Sequence, residues 1–231
     1  MDKQVFQILE LIKTCSQEQK ESIFRELRKQ HLIHPIEEKL NISAEIILEA
    51  IHKDPTGLTF RMMRGVIAEA AFEINILANQ EQFKYISPEG DYAYDFLLTD
   101  EIGEVSIQVK LQRSLKLKPM LAVEANRKFS PNLFVVETQK TRGGIDSFTK
   151  EDTRPYRFGE FNILGVSMQP STGNWNSFMY TVADWLIPQL DDDSRMLKFQ
   201  PVSPTSNEDW TEDLQLCIKW LRSGNKRRIA L

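Results

Sequence analysis

The spacing of apolar and polar residues divides the chain into a helical first part and a mixed second part. The first part shows the three-to-four-residue apolar spacing of amphipathic helices, and Ser16 is placed to cap the second of them. Asp54-Pro55-Thr56-Gly57 interrupts this spacing, because proline and glycine end regular structure. We therefore predict a helical extension over residues 1–56 and a separate core over residues 57–231.

Within the helical extension, residues 37–51 resemble the turn and second helix of a helix-turn-helix unit. In such units the second helix enters the major groove of DNA. Here that helix carries Glu45 and Glu49, and its cationic side chains, His52 and Lys53, come only at its end. Two interpretations stay open for the extension: a packing or dimerisation module, or a direct DNA reader.

The second part alternates helical and extended patterns, which predicts an α/β core. Residues 61–79 predict a long helix whose apolar stripe comprises Val66, Ala70, Ile74 and Leu77. Residues 132–139 predict a strand with a continuous apolar run, LFVV, as expected at the centre of a sheet. The other predicted elements are strands at 83–87, 95–99, 105–111 and 162–169, helices at 118–129, 176–190 and 210–223, and a loop at 200–209.

Charge is distributed unevenly along the chain, whose net charge is −4. Residues 105–158 hold eleven Lys or Arg residues and five Asp or Glu residues. A basic block in an acidic chain indicates a surface for a polyanion, although a solvated face is the alternative. Because the chain has no membrane-length apolar run, no recognisable signal peptide and only Cys15 and Cys217, we expect a cytoplasmic protein without a membrane partner.

One face of the strand at 105–111 is unusually polar. Strand parity points Ser106, Gln108, Lys110 and Gln112 to one side, and Asp95 begins the neighbouring strand. A solvent-exposed face would explain the alternation. A functional site would explain why an acid, an amide and an amine lie close together beside the helix that carries Glu69.

The same residues resemble the signature of the PD-(D/E)xK nuclease superfamily. Its parts are Glu69 in RGVIAEAAFE, Asp95 in YDFLL, and Gln108-Val109-Lys110 in SIQVKLQ, with twelve residues between Asp95 and Gln108. Two positions depart from the pattern. Tyr94 replaces the usual proline, and Gln108 replaces the second acid, as it does in some restriction endonucleases of this superfamily.

This resemblance implies a restriction-endonuclease-like core, a central mixed sheet flanked by helices, with a Mg²⁺-dependent site. Asp95 would anchor the metal, the Gln108 amide oxygen and the Val109 carbonyl would complete its ligands, and Glu69 would bind a second metal or orient a bound water. Lys110 would hold or deprotonate the attacking water. Asp91 is the rival to Asp95 as the anchoring acid.

Residues 137–175 also resemble type II restriction endonucleases, in particular a group that cuts GGWCC. The implied activity is site-specific hydrolysis of double-stranded DNA by a homodimer, with a cognate DNA methyltransferase as functional partner. A structure-selective or repair nuclease and a non-catalytic helix-turn-helix regulator are the alternatives. Arginine, lysine and glutamine suit base edges and phosphates. The expected DNA contacts are Gln112, Arg113, Gln139, Lys140, Arg142, Arg154 and Arg157.

Overall fold

Two compact units make up the chain, Met1–Arg61 and Met62–Leu231. The structure, a computed structural model, describes residues 2–30, 35–54, 57–90, 92–140, 144 and 152–230, with the backbone alone at 28–30 and 35. None of the helices in these ranges is long and apolar enough to cross a membrane.

The first unit is helical in its described part, which confirms the sequence prediction. A capping box begins its second helix: the Gln19 backbone N–H donates to Ser16 Oγ (3.2 Å), and the Ser16 N–H donates to Gln19 Oε1 (2.9 Å). The predicted N-cap at Ser16 is therefore confirmed. The helices are α1 (Lys3–Thr14), α2 (Gln17–Gln30), α3 (Pro35–Leu40) and α4 (Ala44–His52).

Glu37 holds the turn between α3 and α4. Its side chain is 2% exposed, and its Oε1 accepts a hydrogen bond from the Ala44 backbone N–H at 2.6 Å. The carboxylate thus satisfies an otherwise unpaired donor in the first turn of α4 and lies at the positive end of the helix dipole. The pair has a helix–turn–helix connection, and its contact with DNA stays a prediction.

The second unit is an α/β assembly around a mixed five-stranded sheet with the strand order β1-β2-β3-β7-β8. The first three strands form an antiparallel meander, β7 lies parallel to β3, and β8 pairs antiparallel with β7. The α/β prediction with a central mixed sheet is confirmed. The elements are α5 (Leu58–Asn75), β1 (Lys84–Ile86), β2 (Phe96–Thr99), β3 (Glu104–Leu111), β4 (Ser114–Leu115), β5 (Lys118–Pro119), α6 (Ala122–Ala125), β6 (Phe134–Glu137), β7 (Ile163–Ser167), α7 (Gln169–Thr172), β8 (Phe178–Val182), β9 (Phe199–Val202) and α8 (Leu214–Arg222).

Helix α5 packs on the sheet through a different face from the predicted one. Val66 and Ile74 of the predicted stripe are 61% and 67% exposed, whereas Ala68 and Phe72 are fully buried. Leu77, the last residue of that stripe, is buried as predicted, in the 3-10 turn that follows α5. The helix is apolar on several sides, so its spacing fits more than one apolar stripe. The small Ala68 side chain permits close approach to the sheet, and Phe72 packs against Phe96 and other rings. With this face of α5 packed on the sheet, Glu69 lines a cleft beside the sheet.

Residues 132–139 do not form the centre of the main sheet, contrary to the prediction. Strand β6 pairs with β9 in a separate two-stranded sheet. Its Val135 and Val136 are fully buried, with β9 on one side and only isolated β-bridges, such as Gln112 to Val136, on the other. Strand β9 extends to Val202, so the first residues of the loop predicted at 200–209 belong to a strand instead.

Residues 176–190 form a strand and a 3-10 turn, not the predicted helix. Strand β8 is composed of aromatic, β-branched and Met residues, FMYTV, which favour an extended backbone and pack here as a fully buried edge strand on β7. The turn Ala183–Trp185 follows at once. Helix α8 confirms the predicted closing helix, and α6 confirms a shorter helix within 118–129.

Candidate active site

The β2–β3 hairpin brings Asp95 and Gln108 into direct contact. The Asp95 N–H donates to the Ile107 carbonyl (3.0 Å), so strand pairing continues to the residue just before β2. Asp95 Oδ2 accepts hydrogen bonds from Gln108 Nε2 at 2.6 Å and from the Val109 backbone N–H at 2.7 Å. These two bonds fix the carboxylate beside the middle of β3.

The polar face of β3 lies inside the protein. Ser106 is 9% exposed, Gln108 3% and Gln112 1%, while Lys110 is half-buried. The interpretation of this alternation as a solvent-exposed surface is therefore wrong. Burying such a face is costly unless its groups are hydrogen-bonded or serve a function.

Glu69 completes a cluster of two acids and one amine. It lines a cleft of about 290 Å³ together with Asp95, Glu73 and the tyrosines Tyr92 and Tyr94, among other residues. Burial and, to a smaller extent, the nearby Asp95 charge raise the pKa of Glu69, and Lys110 opposes both effects, which leaves the pKa at about 7. This pKa lies near neutral pH because the carboxylate is partly desolvated and faces a second acid.

Burial also shifts the pKa values of Asp95 and Lys110. Burial raises the pKa of Asp95 despite the opposing effects of the Val109 N–H and the Lys110 charge. Burial lowers the pKa of Lys110, although Asp95, Glu69 and Glu137 all favour its charged form. Desolvation thus disfavours every charge in the cluster, a condition typical of functional sites.

The donor atoms of this cluster fit a hard cation. Mg²⁺ prefers oxygen ligands and commonly binds through one or two carboxylates plus water and phosphate. Glu69 and Asp95 offer two carboxylates, and the Val109 carbonyl is close to Asp95, since Gln108 Nε2 contacts both of them. In the residues that the structure describes, no group of three or more His, Cys, Asp or Glu side chains is placed to hold a metal ion.

Gln108 is turned differently from the sequence expectation. Its amide nitrogen, not its oxygen, faces the site, and it donates to Asp95 Oδ2 (2.6 Å) and to the Val109 carbonyl (3.0 Å). The N–H₂ group lies where a cation would meet the same two oxygens. For the Gln108 oxygen to act as a ligand, as predicted, the amide would have to turn over.

The predicted DNA contacts lie in different environments. Gln112 is buried, and its Oε1 accepts from the Ser171 N–H (3.0 Å). Arg113 pairs with Glu137 at 2.8 Å, and Lys140 pairs with Glu160 at 2.6 Å. Their DNA contacts stay predictions.

The remaining candidates lie in the second half of the basic block, between residues 139 and 157. Arg154 is exposed and lies 3.7 Å from Asp152, and Arg157 is exposed and donates to Ser194 Oγ at 3.0 Å. Gln139 is half-buried. Arg142 and the rival acid Asp91 lie outside the described residues.

Two residues near the site were not predicted from the sequence. Glu137, at the end of β6, favours the charged form of Lys110 and binds Arg113. Tyr156 places its ring 5.2 Å from Lys110 Nζ. Strand periodicity indicates neither contact, because both come from segments far along the chain.

Comparison with known proteins gives a distant structural likeness. A bacterial homing endonuclease, I-Ssp6803I, aligns with a TM-score of 0.40 and 18% sequence identity, over 71% of this chain and 94% of that chain. No protein-family model matches the chain, and no curated protein matches it. A TM-score this low does not establish a shared function, so the functional assignment rests on the geometry of the site.

Proposed function

We propose that this chain is a Mg²⁺-dependent endonuclease of the type II restriction class that hydrolyses phosphodiester bonds of double-stranded DNA. The contact between Asp95 and the Gln108-Val109-Lys110 segment of β3 is the single observation that supports this most directly. It assembles the parts of the PD-(D/E)xK pattern in one place, and Glu69 lines the same cleft.

The cluster has the groups that phosphodiester hydrolysis needs. Asp95, Glu69 and the Val109 carbonyl would hold Mg²⁺, which would supply positive charge for the phosphate and lower the pKa of a bound water. Lys110 Nζ would accept a proton from the attacking water or stabilise charge on the phosphate. Burial lowers the pKa of Lys110, which makes proton acceptance easier.

Sequence-specific cutting of duplex DNA is the finer part of the proposal. The exposed Arg154 and Arg157 support it, since arginine binds both phosphates and guanine edges. A homodimer would present two sites to a palindromic duplex, and a cognate methyltransferase would protect the host DNA. GGWCC is the first recognition sequence to test.

A second candidate is a helix-turn-helix regulator that binds DNA without cutting it. The turn between α3 and α4, held by Glu37, favours this candidate. The acidic Glu45 and Glu49 on α4 weigh against direct reading of a polyanion. Such a regulator would bind duplex DNA equally well with and without Mg²⁺.

Incubation of the purified protein with unmethylated phage DNA tests the proposal. With Mg²⁺ we expect discrete fragments that share one short terminal sequence, and with EDTA intact DNA. A parallel panel of branched substrates separates restriction from structure-selective cutting: preferential cleavage at junctions would identify a repair nuclease. Tight binding without cleavage would favour the regulator.

A further inference from the structure

An aromatic ring lies against the candidate catalytic lysine. Lys110 Nζ is 5.2 Å from the centroid of the Tyr156 ring, and Tyr156 is 4% exposed. An ammonium group within about 6 Å of a ring centroid, over the ring face, is attracted by the negative potential of that face. The proposed chemistry described above does not use this ring.

Lys110 depends on few other contacts for its position. Among the described residues, its Nζ has no hydrogen-bond or ion-pair partner, although the charges of Asp95, Glu69 and Glu137 act on it. A lysine side chain has four rotatable bonds, and an unpaired ammonium can occupy several rotamers. The Tyr156 ring therefore supplies the specific contact that selects one position for Nζ.

The ring itself is held in place by its surroundings. The Tyr156 carbonyl accepts a hydrogen bond from the Met196 N–H at 2.8 Å, and Phe161 packs edge-on against the ring at 5.2 Å. The preceding residue, Pro155, forms a β-bridge with Gln139. Backbone and side-chain contacts thus fix the ring before any substrate binds, which is what a positioning residue requires.

We propose that Tyr156 is a positioning residue that holds the Lys110 ammonium, in its role of stabilising charge on the phosphate, at the cleavage site through the face of its ring. This inference rests on the proposed nuclease function. Lys140 Nζ, which pairs with Glu160, lies 5.6 Å from the same ring, so loss of the ring also removes one contact of a candidate DNA-binding residue. Cleavage and DNA affinity must therefore be measured separately.

The test compares variants that keep or remove the ring face. Tyr156→Phe keeps the face and should cleave within about threefold of the parent in single-turnover reactions with saturating DNA and Mg²⁺. Tyr156→Leu removes the face and should slow the same step roughly tenfold. Replacement of Tyr156 by phenylalanines with increasing fluorination keeps the shape and withdraws charge from the face, and should slow cleavage stepwise.

Trp185→Leu is the matched control. Trp185 is a buried ring with its own cation, Arg227, at 5.5 Å, and it belongs to the turn after β8. Its loss should lower stability while the cleavage rate per folded molecule stays near that of the parent. Equal slowing by Trp185→Leu and Tyr156→Leu would reduce the effect to general core damage and would overturn the proposal.

A stability measurement separates this inference from the nuclease assignment. The thermal destabilisation by Tyr156→Leu should be smaller in a Lys110→Met background, because the ammonium–ring contact is already absent there. Additive effects would overturn the proposal, as would a Tyr156→Phe variant as slow as Tyr156→Leu or an unchanged rate across the fluorinated series. A parent that never cuts DNA would instead refute the nuclease function and remove the catalytic role of Tyr156 with it.

Discussion

The β2–β3 hairpin carries an aspartate near each end, and the pKa values of the two are shifted in opposite directions. Asp100, at the turn, receives two hydrogen bonds from the Arg222 guanidinium at 2.8 and 2.7 Å, and these bonds hold its pKa at about 2. Asp95, at the open end, receives an amide and a backbone N–H, and burial raises its pKa.

The two aspartates differ in the positive charge that lies next to them. Arg222 pairs with Asp100 through two hydrogen bonds and ties the hairpin turn to α8, which is a structural role. At the open end, the half-buried Lys110 is the one cation among the described residues that acts on both Asp95 and Glu69, so two desolvated carboxylates remain incompletely neutralised. An additional cation would relieve this deficit, and for that reason we place the chemistry at the open end.

We expect the largest effect when the cleavage rates of Asp95 and Asp100 variants are compared. Asp95→Ala should slow cleavage roughly 10³-fold, because a lost metal ligand removes several kcal/mol of transition-state stabilisation, while DNA affinity stays within a few-fold. Asp100→Ala should cut at the parental rate when folded. Lys110→Ala should slow cleavage roughly 10²-fold, through loss of a proton-transfer group. Single-turnover kinetics and filter binding measure these effects, and a fast Asp95→Ala enzyme would remove the distinction between the two ends.

Gln108 sharpens the comparison because it is the neutral member of the open end. Gln108→Glu adds a carboxylate and should lower the Mg²⁺ concentration needed for half-maximal cleavage. Gln108→Leu has similar size without the amide and should raise that concentration roughly tenfold or abolish cutting. The readout is a Mg²⁺ titration of cleavage rate for both variants. If neither variant shifts the titration, Gln108 only supports Asp95 structurally.

Replacement of Glu69 tests whether its buried charge, at the open end of the hairpin, lowers the stability of the fold. A carboxyl whose folded-state pKa is raised from 4.5 to about 7 binds its proton more tightly when folded, so stability falls as pH rises from about 4.5 to about 7. Glu69→Gln removes this loss. In EDTA at pH 8 it should stabilise the protein by about 1–2 kcal/mol, since solvent still screens part of the charge.

At pH 4 the two proteins should unfold alike, which provides the internal control for Glu69→Gln. Urea denaturation at both pH values measures the difference. A variant that is less stable than the parent at pH 8 would show that Lys110 already compensates Glu69.

We expect the smallest effect, on stability alone, from variants of the Asp100–Arg222 pair at the hairpin turn. Arg222 and, to a smaller extent, the Ile102 and Gly103 backbone N–H groups lower the pKa of Asp100 from 3.8 to about 2. These contacts therefore stabilise the fold above about pH 4, and their contribution is lost as pH falls through about 2. Asp100→Asn should therefore lower the melting temperature by a few degrees at neutral pH and by progressively less toward pH 2. Arg222→Met is the matched partner variant, and the two changes should not add.

Local patterns predicted the hairpin better than they predicted the packing around it. Strand parity and a twelve-residue spacing placed Asp95 beside Gln108, because both follow from backbone geometry alone. The buried face of α5 could not be read from a helix that is apolar on several sides. The sequence of β8 predicts a helix wrongly, since the strand is buried on both faces and shows no alternation.

The remaining features of the site depend on tertiary contacts. Tyr156 and Glu137 reach Lys110 from separate loops and strands, and no sequence spacing encodes those approaches. The orientation of the Gln108 amide follows from its two acceptors, Asp95 and the Val109 carbonyl, and is likewise invisible in the sequence. The strand order, with β6 outside the main sheet, is set by long-range pairing of the same kind.

The most direct test digests one phage DNA with three proteins in parallel: the parent, Asp95→Ala and Asp100→Ala, each with Mg²⁺ and with EDTA, followed by sequencing of fragment ends. We predict that the parent and Asp100→Ala produce the same ends with Mg²⁺, and that Asp95→Ala leaves the DNA intact although it folds and binds. Identical ends from Asp95→Ala, or intact DNA with the parent, would contradict the assignment of a metal-dependent cleavage site to the open end of the β2–β3 hairpin.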